Sequence, residues 1–175
     1  MIKPYQLKNL VYRTLMELQD KTDSKVPYSG EARDLILMTV AHESVGGTYL
    51  WQDGGPALGI GQMEPKTEED LWDNWIMYRN WLQQSLGELG YYRSNPAMLE
   101  YDLRYCIIMM RLHYFRTPDA LPKRRKFKSN RDRPSYHEEL ARFAKQHYNT
   151  ALGKATWQRY LGDYEMYMDS DKENV

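Results

Sequence analysis

The stretch from Ala32 to Ala41 constrains this chain more than any other. Ala32, Leu35, Ile36, Leu37, Met38, Val40 and Ala41 are apolar, with the β-branched Thr39 among them. A helix over about 31–44 is therefore apolar nearly all round, which predicts a central, buried position. Gly46 and Gly47 end it. An acid, Glu43, falls at the C-terminal end of this most apolar helix.

The rest of the chain can be arranged around that helix. Leu7, Leu10, Val11, Leu15 and Leu18 recur at spacings of three and four, predicting an amphipathic helix over 5–20. The polar segment 21–30 reads as a loop. Six glycines and two prolines lie between Gly46 and Pro65, which predicts a loop with a short β-like piece. Thr67 starts the next helix, with Glu68, Glu69 and Asp70 in its first turn, and Gly90 stops it after about Leu89. Asn95 and Pro96 read as a cap and first helical residue for a helix reaching about Arg116. Ser135 to Glu138 has capping-box spacing and opens a fifth helix; a sixth covers about 154–168. The fold class is mainly α, with a minimal β element.

The length of 175 residues suits a single domain over 1–175. Within it, 117–134 reads as a basic surface loop, with seven Lys or Arg between Lys123 and Arg133 against one acid, Asp132. Residues 169–175 read as a flexible tail. Basic and acidic side chains number 24 each, so global charge gives no argument for nucleic acid as a partner. A single cysteine, Cys106, excludes an internal disulfide and sits in an apolar run. No apolar segment follows Lys3, so the N-terminus does not read as a secretory signal. No run reaches the length of a membrane span. The expectation is a chain made in the cytoplasm with no transmembrane segment.

The chemistry is expected where Glu43 meets the glycine-rich loop. Burial disfavours the charged carboxyl and raises its pKa, which suits a group that protonates a leaving oxygen. The loop from Gly54 to Met63 is low in side-chain bulk, so backbone can approach a ligand closely. Gln62 can donate to and accept from sugar hydroxyl or acetamido groups. Trp51 is the aromatic best placed for stacking on a sugar, whereas Trp72 and Trp75, three apart beside Ile76, read as core. From the residues alone, a lone Glu at a helix end is more often a solvated cap or an ion-paired acid than a catalytic one.

The motifs carry a resemblance. Glu43-Ser44 resembles the catalytic Glu-Ser pair of the soluble lytic transglycosylase and goose-type lysozyme superfamily. Gly59-Ile60-Gly61-Gln62-Met63 is similar to its Gly-Leu-Met-Gln motif, with Gly61 where Met is usual. Tyr148-Asn149-Thr150-Ala151-Leu152-Gly153 resembles its Tyr-Asn-Ala-Gly motif, with two additional residues before the glycine. Tyr160-Leu161-Gly162-Asp163-Tyr164 is similar to the Tyr-rich end of such domains. The motifs occur in the family's order, although residues 67–134 align with nothing in it.

That resemblance implies a lysozyme-like domain that cleaves peptidoglycan glycan strands between N-acetylmuramic acid and N-acetylglucosamine. Glu43 would be the acid. Ser44, Gly59, Gln62, Met63, Tyr148 and Asn149, with Trp51, would support the site or contact the sugar. A lytic transglycosylase needs one carboxylate and gives 1,6-anhydro-muramoyl products. A muramidase needs a second carboxylate, for which Asp53 and Glu64 stand at suitable places. No cofactor is implied, and His42-Glu43 lacks the second histidine of a zinc site. A short chain of this kind suits a bacteriophage. It would act in the cell wall, released at lysis or carried on the particle; the competing class is a tail or baseplate component whose partners are other particle proteins.

Overall fold

The computed structural model describes residues 2–124, 134–148 and 155–168. Pro4 stands at the first turn of α1 (Pro4–Lys21), where its missing N–H is not needed. Leu7, Val11, Leu15 and Leu18 form its buried stripe. α2 (Gly30–Glu43) is capped by Ser29, whose hydroxyl accepts from the Ala32 amide at 3.0 Å. It is buried almost without interruption from Ala32 to Ala41. Helices α6 (Leu103–Phe115), α7 (Tyr136–His147) and α8 (Trp157–Met168) pack on it together with α1. The all-round apolar pattern is explained by that enclosure.

The expected helix over 67–89 is three pieces. α3 (Pro65–Leu71) starts at Pro65, two residues before Thr67, because proline fits the first helical position. A π-helical turn, Trp72–Ile76, follows, closed by the Met77 amide donating to the Trp72 carbonyl at 3.0 Å. The extra residue leaves both Trp72 and Ile76 buried, and the Trp72 indole donates to the Tyr105 hydroxyl at 2.8 Å. Arg79 then leaves helical geometry, and α4 (Asn80–Glu88) begins after it. Gly90 stops the run, at φ +93°.

The helix expected from Asn95 to Arg116 is also broken. A single turn, α5 (Met98–Tyr101), precedes α6. Asp102 interrupts them because its carboxylate accepts from the Tyr105 amide and the Tyr91 hydroxyl, both at 3.0 Å. Asn95 does not cap a helix: its own amide donates to the buried Glu68 carboxylate at 3.0 Å. Glu68 also accepts from Ser94 at 2.6 Å and from the Tyr105 hydroxyl. This first-turn acid of α3 is therefore an interior acceptor that holds the 94–95 segment, rather than a solvated dipole partner.

Ser135 caps α7 as expected, accepting from the Glu138 amide at 3.2 Å. Of the expected basic loop, Lys123 is exposed, but Arg124 is not merely solvated. It binds the buried Asp34 carboxylate, which also accepts from Tyr136 at 3.1 Å. Positions 125–133 and 169–175 lie outside the described residues. Among the described residues, the β element is two isolated antiparallel bridges, Trp51 with Leu58 and Leu58 with Met63. Among the described residues, no helix is long and apolar enough to cross a membrane.

Candidate active site

Glu43 is the last residue of α2, and the chain turns sharply after it. Val45, Gly46 and Gly47 all have left-handed φ, between +53° and +77°. Ser44 makes the turn possible. Its hydroxyl donates to the Val40 carbonyl at 3.1 Å and accepts from the Gly47 amide at 3.0 Å. Its carbonyl accepts from the amides of Thr48 at 2.7 Å and Tyr49 at 3.3 Å. Ser44 is fully buried, so it builds the support for the loop and does not face a groove.

The Glu43 carboxyl receives the Tyr160 hydroxyl of α8 at 2.5 Å. Burial raises its pKa above the ordinary carboxylate value; the Tyr160 hydrogen bond and the positive charges of His42 and Lys145 oppose this in part. His42 lies against the Tyr160 ring, centroids 3.9 Å apart, and its Nδ1 meets the Asp163 carboxylate at 2.7 Å. Tyr160 and Asp163, three apart on α8, thus clamp the adjacent pair His42 and Glu43 on α2. Tyr160, His42, Asp163 and Lys145 were not among the expected site residues. The Tyr-rich segment from Tyr160 to Tyr164 and the i, i+3 spacing of Tyr160 and Asp163 were the available signals, but neither said which helix that face meets.

The loop after α2 is folded on itself. Leu58 and Met63 exchange backbone hydrogen bonds at 3.0 Å, and the Gly59 amide donates to the Leu50 carbonyl at 2.7 Å. Gly59 has φ +73°, and a Cβ there would lie 2.0 Å from the Leu99 carbonyl oxygen. Its role is close packing under the loop, and it is buried. A Cβ at Gly61 would lie 2.6 Å from Met110 Sδ and 2.7 Å from the Tyr148 hydroxyl. That contact explains why glycine stands where the resembling motif carries methionine.

Gln62 adopts φ +45° and donates its side-chain N–H to the Gly59 carbonyl at 2.8 Å, bracing the turn. Met63 is 2% exposed and belongs to the core, so burial keeps it from a sugar. Trp51 and Tyr49 are exposed at 59% and 54% on the strand-like arm of the loop. Asp53 and Glu64 are exposed too, Asp53 before Gly54 and Glu64 just before α3. Neither is among the groups that act on the Glu43 carboxyl.

Tyr148, at the end of α7, donates to the Gly61 carbonyl at 2.8 Å and so ties that helix to the loop. It does not bond Glu43, a role taken by Tyr160. Its ring stacks on Tyr114, centroids 5.3 Å apart, and the Tyr114 hydroxyl pairs with Thr39 at 2.7 Å. Burial pushes both phenols well above their ordinary pKa, and the Glu43 charge adds to this for each. His113 fixes the end of α7 by donating Nε2–H to the His147 carbonyl at 2.9 Å. Asn149 lies outside the described residues.

What results is one desolvated carboxyl, with a phenol as its hydrogen-bond donor, beside a rigid loop that carries exposed aromatics. Its raised pKa favours the protonated form more than an exposed carboxyl would, which suits a group that passes a proton to a bound acceptor. Compared with protein-family models, with curated proteins and with solved structures, the chain shows no match.

Proposed function

We propose that the chain cleaves peptidoglycan glycan strands between N-acetylmuramic acid and N-acetylglucosamine, acting as a lytic transglycosylase on a lysozyme-like fold. The observation that carries this reading is the partly buried Glu43 carboxyl at the end of α2, hydrogen-bonded by Tyr160 and shifted toward its protonated form. The order of the Glu-Ser, Gly-Gln and Tyr-Asn motifs supports it.

In this mechanism protonated Glu43 gives its proton to the glycosidic oxygen as the bond to the muramoyl carbon breaks. The carboxylate left behind keeps the Tyr160 hydroxyl as its hydrogen-bond donor. It then takes the proton of the muramoyl 6-hydroxyl, whose oxygen closes on the same carbon. The anhydro product forms without water, and the carboxyl is protonated again. One carboxylate suffices for this route; the nearby Asp163 is engaged by His42. On this reading the chain works in the cell wall, as a lysis enzyme or on a virus particle.

The test is mass spectrometry of soluble fragments from purified peptidoglycan, comparing the wild type with Glu43→Gln. Anhydro-muramoyl ends, reduced about 10²- to 10⁴-fold in the variant, are expected from loss of a general acid. Asp53→Asn and Glu64→Gln are expected to keep the activity. Reducing muramoyl ends that depend on either acid would make the chain a hydrolytic muramidase. No Glu43-dependent fragment from several wall types would leave a structural particle component as the better reading.

A further inference from the structure

We propose a second binding site, at the opposite end of α2, for a small monocarboxylate with an apolar body, held by Arg111. A cavity of about 390 Å³ opens there, walled by Pro27, Arg111, Tyr114, Phe115 and Leu121. Glu31, on the same wall, precedes Glu43 by twelve residues of helix, about 18 Å at 1.5 Å per residue. The cavity is thus separate from the chemistry proposed above, and its size is that of a small-molecule site.

Arg111 is the unusual feature. It is only 6% exposed, yet no carboxylate pairs with it among the described residues. Its Nη2 donates to the Pro27 carbonyl at 3.1 Å, and its guanidinium lies 5.0 Å from the Phe115 ring centroid. Neither contact supplies a negative charge. A buried guanidinium without a counter-charge is costly. Burial draws its pKa down to about 10 with no opposing charge acting on it.

Two acids share the cavity wall but are engaged elsewhere. Glu31 accepts from the Arg124 amide at 3.2 Å, and Asp119 accepts from the Gln146 side-chain N–H at 3.4 Å. The chemistry of the ligand follows from these walls. A guanidinium fork matches a planar carboxylate in two parallel hydrogen bonds. Glu31 and Asp119 balance Arg111 and Lys123 on the same wall, leaving no excess positive charge for a dianion such as phosphate. Tyr114, Phe115, Pro27 and Leu121 suit an aromatic or aliphatic body.

The probe is 2-naphthoate, titrated calorimetrically into the whole chain, with the neutral isostere 2-naphthamide beside it. The expected result is saturable naphthoate binding, with the amide weaker by about tenfold or more. Arg111→Gln should weaken naphthoate by a similar factor. Leu121→Trp, which fills the cavity without touching the guanidinium's own contacts, should abolish binding, and it serves if Arg111→Gln does not fold. No naphthoate binding, equal binding of the amide, or binding that survives the folded Leu121→Trp variant overturns the proposal.

Discussion

Across 117 residues of sequence, the Tyr160 hydroxyl donates to Glu43 Oε1 at 2.5 Å. It is the largest of the contributions that lower the Glu43 pKa against burial. Tyr160→Phe therefore leaves burial less opposed and moves that pKa further up. Activity that needs protonated Glu43 fades as pH rises through this pKa, so the alkaline limb of the pH profile of kcat/KM moves to higher pH in the variant. The rate at the optimum falls about tenfold, because the carboxylate formed in the reaction loses a hydrogen bond of about 1.4 kcal/mol. A limb that stays in place would separate Tyr160 from the chemistry.

His113 makes a prediction about acid stability. Burial lowers its pKa from 6.5 to about 4. Below 6.5 the unfolded chain takes up a proton that the folded chain refuses, so stability falls as pH drops from 6.5 to about 4. The loss attributable to this group is up to about 3 kcal/mol, at 1.36 kcal/mol per unit. His113→Gln can keep an N–H for the His147 carbonyl without the titration. Urea unfolding at pH 7 and pH 4.5 should show a smaller difference in the variant; an unchanged difference would assign acid sensitivity to other groups.

The two buried loop glycines differ in what surrounds them, and that difference can be measured. Gly59→Ala meets the backbone carbonyl of Leu99 and needs φ +73°, so neither clash can relax cheaply. Gly61→Ala meets side-chain atoms, the Sδ and Cγ of buried Met110 and the Tyr148 hydroxyl, which can give way more readily than backbone. The expected costs are about 3 kcal/mol or more for Gly59→Ala and about 1–2 kcal/mol for Gly61→Ala. At about 2–4 °C per kcal/mol, thermal melts resolve the order. The reverse order would mean that the loop is held more by Tyr148 than by Leu99.

These sites differ in how much of them the sequence revealed. α2 was legible because apolar residues on every side leave a helix no solvated position, and Gly46 with Gly47 marked the turn. The short β bridges were legible as a loss of helical period between glycines. The breaks at Trp72–Ile76 and Asp102 were not. A π turn shifts the helical phase by one residue without removing apolar residues, and Asp102 is as compatible with a helix surface as with a cap until Tyr91 and Tyr105 claim its oxygens. Met63 looked like part of a binding motif because motif spacing carries no information on which side of a loop faces the core. The clamp on Glu43 was hidden because it depends on how α8 docks on α2.

Tyr114 belongs to both ends of the molecule. Its hydroxyl pairs with Thr39 one turn before Glu43, its ring stacks on the Tyr148 that holds the Gly61 carbonyl, and the same residue walls the Arg111 cavity. A ligand that moves this ring therefore acts on a contact to α2 and on a ring stacked against the glycine loop's anchor. If the chain binds a glycan as proposed, thermodynamic linkage makes the exchange reciprocal: whatever factor filling the cavity puts on the affinity for the glycan, the bound glycan puts on the affinity of the cavity.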